Sequence, residues 1–159
     1  MHVTVKASLI LAGLVALLSA VVYLSGLHKN FAAGQTVFLA GAIAINVAVV
    51  YAALAATAAE TGYGGQVLNA AAIGLLGGAL VVLVSWLMLA AVFPNALDEV
   101  RQGAIDFMEA SGMPDEQKQQ QLEQIRNATP WSQSLPGGIG TFATSLVAGL
   151  VIAAFKRRK

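Results

Sequence analysis

The sequence lacks cysteine and has few charged residues, and both absences narrow the possible functions. With no cysteine among its 159 residues, disulfides, thiolate catalysis and cysteine-ligated metals are excluded. Only 11% of the residues are charged, whereas soluble domains contain about 25%. Hydrophobic residues make up 57% of the chain and the net charge is +1. This composition indicates a membrane protein and provides no basic field for binding nucleic acid.

Groups that could carry out catalysis or bind metal are also scarce. His2 and His28 are isolated and lack the spacing of metal ligands. Apart from Glu60, every acidic residue lies between Pro94 and Pro130. We find no nucleophile with a neighbouring base, no pair of carboxylates in a cleft and no glycine loop for phosphate. The sequence therefore predicts a protein that is not an enzyme and has no cofactor.

Four stretches without ionisable residues are long enough to cross a bilayer, which requires about 20 apolar residues. They cover approximately residues 7–27, 36–59, 67–93 and 137–155. The first stretch has some features of a signal peptide, but its apolar run continues through Val21, Val22 and Leu24, which favours a span. We predict an all-α, polytopic membrane protein in which residues 1–159 form one domain, a four-transmembrane-helix bundle.

Small residues recur at a spacing of four along the predicted spans. Such ridges include Ala44 and Ala48 in the second span, Gly74 and Gly78 in the third, and Gly149 in the fourth. Residues four apart share a helix face, and small side chains allow two helix backbones to approach closely. The pattern indicates a tight bundle, with Gly74 and Gly78 as the best candidates for a close crossing. Alternatively, one ridge is left over for a partner subunit.

Polar side chains at membrane depth are few, and none of them is ionisable, which argues against proton-coupled or ion-coupled transport. Asn46 is the main candidate, followed by Thr144 and Ser145. Two hypotheses remain open for Asn46. It forms an interhelical hydrogen bond worth about 0.6–2 kcal/mol, or it contacts a neutral solute.

The segment 94–136 is the polar part of the chain, and it predicts an amphipathic helical hairpin between spans 3 and 4. Its first helix has an apolar face to bury and is followed by Gly112, which favours a left-handed turn. Its second helix is rich in glutamine and acid and has almost no apolar face. Trp131 is a candidate anchor at the membrane interface. The hairpin is either a docking surface, a lid or a plain connection.

The positions of the Lys and Arg residues predict how the chain is oriented in the membrane. The last span ends in a basic cluster, Lys156, Arg157, Arg158 and Lys159. We therefore expect both termini to be cytoplasmic and the hairpin to be extracytoplasmic. The same cluster is suited to binding anionic lipid.

The segment from Phe93 to Pro130 contains "MEASGMPDEQ", and "NATPWSQSLPGG" leads into a glycine-bearing last span with a short basic tail. In this layout the chain resembles an uncharacterised bacterial family of small four-span membrane proteins, a domain of unknown function. The resemblance implies a bacterial inner membrane but no catalytic motif.

Three functions are predicted. The first is a structural or accessory subunit that packs against another membrane protein or against itself. The alternative is an oligomeric transporter or channel for a small neutral solute. The third is a lipid-interacting protein that uses the basic cluster after the last span. In all three, the lipid bilayer is a partner and nucleic acid is not.

Overall fold

The computed structural model describes residues 3–112 and 114–156, and these residues contain helices but no strand. The helices are α1 (Val3–Leu24), α2 (Phe31–Thr57), α3 (Tyr63–Leu87), α4 (Ala96–Ala110), α5 (Asp115–Arg126) and α6 (Pro130–Lys156). A 3₁₀ turn, Leu27–Lys29, precedes α2, and a π-helical turn, Met88–Val92, extends α3. Four of these helices, α1, α2, α3 with its extension, and α6, are long and apolar enough to cross a membrane. The protein is an all-α polytopic membrane bundle.

The order of the spans around the bundle differs from their order in the chain. Helices α1 and α6 each pack against both α2 and α3, whereas α2 and α3 barely touch. The spatial order is therefore α1, α3, α6, α2, and the consecutive helices α2 and α3 lie diagonally. The most extensive interface joins α3 to α6, which are separated in sequence by the hairpin.

The core contains medium-sized apolar side chains. Leu11, Val50, Leu54 and Ile73 are essentially inaccessible to solvent. Many large apolar side chains point outward, including Leu68 on α3, which is 70% exposed. An apolar exterior suits a lipid environment, in which packing and hydrogen bonds, rather than hydrophobic burial, hold helices together.

The hairpin formed by α4 and α5 lies at one end of the bundle, here called the hairpin end. The opposite end, where α1 begins and α6 ends, is called the terminal end. Helix α4 buries Ala96, Leu97, Ala104 and Met108 and packs on the 3₁₀ turn and on the start of α2. Helix α5 buries no residue. Gly112, between them, has a φ of 64°, which glycine adopts at no steric cost.

Helix α6 begins at Pro130, inside the segment 94–136 that the sequence assigned to the hairpin. Proline suits the first helical turn because its missing N–H is not needed there. The Thr129 hydroxyl accepts a hydrogen bond from the Ser132 amide at 3.1 Å, and the Thr129 amide donates to the Ser132 hydroxyl at 2.8 Å. These bonds cap the helix. Asn95 stands at the N-cap of α4, but its side chain makes no capping hydrogen bond.

Candidate functional site

Three of the glycines singled out in the sequence lie on the interface between α3 and α6. A Cβ atom on Gly74 would lie 2.7 Å from the Ser145 Cβ, and one on Gly78 would lie 2.7 Å from the Gly138 carbonyl oxygen. Gly149 lies against Ala70. All of these separations are too short for a side chain, so the two helix backbones are as close as glycine permits.

Asn46 joins α2 to α6 from within the bundle. Its Nδ2 donates to the Thr141 carbonyl oxygen at 3.0 Å, and its Oδ1 accepts from the Ser145 hydroxyl at 3.0 Å. Asn46 is 2% exposed and Ser145 is fully buried. The amide is thus held inside the bundle by hydrogen bonds to its own chain, and Ser145 also lies against Gly74 of α3.

Ala44 and Ala48 are not part of this packing. Both are exposed, and so is every member of the small-residue ridge to which they belong. The exposed ridge on α2, here called the α2 ridge, consists of Thr36, Ala40, Ala44, Ala48, Ala52 and Ala56. The structure therefore uses the ridges of α3 and α6 internally and leaves the α2 ridge on the outside.

A cavity of about 330 Å³ lies in the hairpin half of the bundle, bounded by all four spans and covered by Val100 of α4. Most of its wall is apolar. Its polar lining groups include Gln35, Ser85, Gln133 and Thr141. This cavity could not be predicted from the sequence, because its lining residues are spread over five helices and the 3₁₀ turn.

His28 is at the edge of the cavity and contacts the hairpin. The ring is buried, and its Nε2 lies 2.6 Å from Glu99 Oε2 on α4. Its Nδ1 lies 3.4 Å from the Val22 carbonyl oxygen. Lys29 Nζ lies 3.4 Å from the other Glu99 oxygen. The hydrogen bond from His28, supported by the charge of Lys29, lowers the pKa of Glu99 below its ordinary value of 4.5.

This cluster was missed from the sequence. His28 and Glu99 are separated by 71 positions, and no local pattern connects a lone histidine to one acid among several. Gln66 was also missed. It is fully buried at the start of α3, where its Nε2 donates to the Thr61 hydroxyl at 2.7 Å.

The remaining predicted site residues lie at the two ends of α6. Trp131, in the first turn, is 50% exposed. The helix ends at Lys156, and Arg157, Arg158 and Lys159 lie outside the described residues. Among residues 3–112 and 114–156, no group of three histidine or acidic side chains is arranged to hold a metal ion.

A comparison with protein families gives one assignment. The model of the family described as "Protein of unknown function (DUF4199)" matches residues 6–158. The chain belongs to this family, an assignment that agrees with the resemblance seen in the sequence. No curated protein matches the chain, and no solved structure does so either.

Proposed function

We propose that this protein is a non-enzymatic membrane subunit that associates with another membrane-embedded helix through the α2 ridge. The observation that supports this is the contrast between the ridges: those of α3 and α6 are matched to each other, whereas the α2 ridge is exposed along its whole length. In lipid, close backbone packing is a main source of helix association. A flat ridge that no span of the chain covers is suited to such an approach.

The proposed location is a bacterial inner membrane with both termini cytoplasmic. Four spans place the two ends of the chain on the same side. The basic cluster after α6 favours the cytoplasm for that side, because short loops and tails rich in Lys and Arg are retained there. The partner helix belongs either to another membrane protein or to a second copy of the chain.

Cross-linking in native membranes tests the association directly. The chain contains no cysteine, so a single photoreactive residue or cysteine reports from one position only. We expect a photoreactive amino acid in place of Ala48 to give a single cross-linked band, in which the chain and one partner are present in a fixed ratio. A matched probe at Leu75, exposed on α3, is expected to react with lipid only.

A bulky substitution provides the second test. Ala48→Leu is expected to abolish the cross-linked band, read from a probe at Ala52, without affecting the fold, because residue 48 is exposed. Val47→Leu is the control, since that neighbouring position already carries a branched apolar side chain that is 39% exposed. Equal cross-linking from Ala48 and Leu75, or no effect of Ala48→Leu, would refute the proposal.

The cavity favours the second candidate function, a pathway for a small neutral solute. Its wall offers uncharged polar groups. Of the residues predicted to line such a path, however, Asn46 and Ser145 are buried and hydrogen-bonded to each other. The terminal half is filled by Leu11, Leu54 and Ile73, so transport would require these helices to separate. Solute flux into liposomes that contain the pure protein would support this candidate.

A further inference from the structure

The cavity in the hairpin half is open on one side only. The lining residues on α1 and α3 are buried or half-buried, such as Val15 and Val81, whereas several on α2 and α6 are exposed. The exposed lining residues are Gln35, Leu39, Gln133 and Pro136. The opening therefore lies between α2 and α6 and faces sideways, toward the lipid of the leaflet at the hairpin end.

Hydrogen-bonding groups flank this opening. Gln35 lies near the start of α2 and Gln133 near the start of α6, so their carboxamides lie close to the end of the spans. Within residues 3–112 and 114–156, neither carboxamide makes a side-chain hydrogen bond to another part of the chain. Both residues line the cavity, so the donors and acceptors of these two carboxamides remain available for a ligand at the mouth.

The charge of the wall limits the class of ligand. Among the described residues, no Lys, Arg, Asp or Glu lines the cavity. Tyr23 and His28 are the ionisable lining residues in that part of the chain, and the His28 Nε2 is already engaged by Glu99. An anion or a cation in the cavity would have no free counter-charge, and an unpaired charge in an apolar site is costly. A volume of about 330 Å³ is at the small end of the usual range for ligand pockets, about 300–1,000 Å³.

We infer that the cavity binds an uncharged single-chain amphiphile, which enters from the hairpin-side leaflet between α2 and α6. The hydrocarbon chain occupies the apolar interior between Phe38 and Leu89, and a hydroxyl or amide head group hydrogen-bonds to Gln35 and Gln133. The polar head determines selectivity, because a hydrocarbon chain gains little by leaving lipid for an apolar cavity.

Photolabelling of the full chain in phospholipid nanodiscs tests this inference. The probe is a long-chain alcohol with a photoactivatable diazirine on its chain, and the comparison probes have the same chain with a carboxylate or a trimethylammonium head. We expect the alcohol to label the cavity-lining parts of α2 and α6, located by peptide mass spectrometry. We expect it to do so at least about fivefold more than either charged probe, since a charged head would stay unpaired and even a small penalty for burying an unpaired polar group corresponds to roughly that factor.

Two variants separate the cavity from the lipid-facing surface. Ala42→Phe places a ring in the cavity, because Ala42 lines it, and is expected to abolish alcohol labelling. Ala143→Phe, at an exposed position of α6 outside the lining, is expected to leave labelling unchanged. If Ala42→Phe does not fold, the double variant Gln35→Leu with Gln133→Leu tests the head group at the exposed mouth, with an expected loss of about fivefold for each hydrogen bond removed.

The inference is overturned by equal labelling with all three head groups, which would show that the cavity is filled by any lipid chain. It is also overturned by labelling that is spread over all lipid-facing surfaces, or by the absence of labelling on α2 and α6. These outcomes leave the proposed association through the α2 ridge untouched, since its cross-linking experiment uses no amphiphile.

Discussion

Asn46 is the residue whose amide connects α2 to α6, and its loss is expected to weaken the bundle. Asn46→Ala removes the bond to the Thr141 carbonyl and leaves the buried Ser145 hydroxyl without its acceptor. We predict a loss of about 1 kcal/mol in the free energy of unfolding, the magnitude typical of interhelical hydrogen bonds in membranes. Unfolding of the purified protein in mixed detergent micelles measures this change.

The control for this prediction is Thr36→Ala. The Thr36 hydroxyl donates only to Ala32 of its own helix, so its removal is expected to leave the free energy of unfolding unchanged. Combining Asn46→Ala with Ser145→Ala is expected to cost less than the sum of the single changes, because both remove the same bond. Strict additivity of the two would show that the bond contributes nothing.

Glu99 is expected to make the packing of α4 on the bundle sensitive to acid. Its pKa is lowered in the folded protein, first by the hydrogen bond with His28 and then by Lys29. The folded state therefore binds this proton less readily than the unfolded state does. The stabilisation is fully present above the ordinary pKa of 4.5 and is lost as the pH falls through the lowered pKa.

Hydrogen exchange of the α4 amides between pH 6.5 and 3.5 measures this effect. The groups around Glu99 include His28 and Lys29, which contact it, and the neighbouring Asp98–Arg101 pair. Glu99→Gln removes only the titration of residue 99, so we expect the acid-induced loss of protection, measured relative to the intrinsic exchange rate at each pH, to be smaller in the variant. An identical loss of protection in both proteins would assign the sensitivity to another acid.

At the scale of the helix, the backbone of α6 leaves no room for a side chain at Gly74 or Gly78 of α3. Gly78→Ala would place its Cβ 2.7 Å from the Gly138 carbonyl oxygen, and the two helices would have to separate. Overpacking of this kind typically costs about 1–3 kcal/mol. We predict that Gly78→Ala lowers the free energy of unfolding by an amount in this range.

Gly140→Ala is the matched control on α6. A Cβ there would meet nothing within 4 Å, and alanine is favoured over glycine inside a helix by about 1 kcal/mol. We therefore expect unchanged or higher stability, so the two substitutions of glycine by alanine should have effects of opposite sign. Destabilisation by both would show that the effect does not arise from the α3–α6 crossing.

The helices were largely predictable from the sequence, but their faces were not. Runs without ionisable residues revealed the spans, and Gly112 revealed the break in the hairpin. The spacing of four was the same in the ridge of Gly74 and Gly78 as in that of Ala44 and Ala48. One ridge is internal and the other is exposed. The sequence does not distinguish them, because a periodicity defines a helix face without indicating what packs against it.

At the scale of the whole molecule, the order of the spans and the cavity could not be predicted. Both depend on which helices meet, and α3 meets α6 across a segment that contains the hairpin. The His28–Glu99 contact depends in turn on how α4 folds back over the 3₁₀ turn. Sequence patterns describe single helices, whereas these features belong to pairs of helices that are far apart in the chain.

The orientation of the whole molecule in the membrane follows from its even number of spans. With four spans, the α2–α3 connection and both termini share one side, and the hairpin faces the other. Retention of the basic tail in the cytoplasm then requires the hairpin to face outward.

In intact cells, an impermeant maleimide is expected to label Gln120→Cys, exposed on α5, and not Gly64→Cys, exposed at the start of α3. The native chain provides no competing thiol. Labelling of Gly64→Cys alone would show that the orientation is the reverse of the predicted one, and labelling of both positions would contradict the four-span topology.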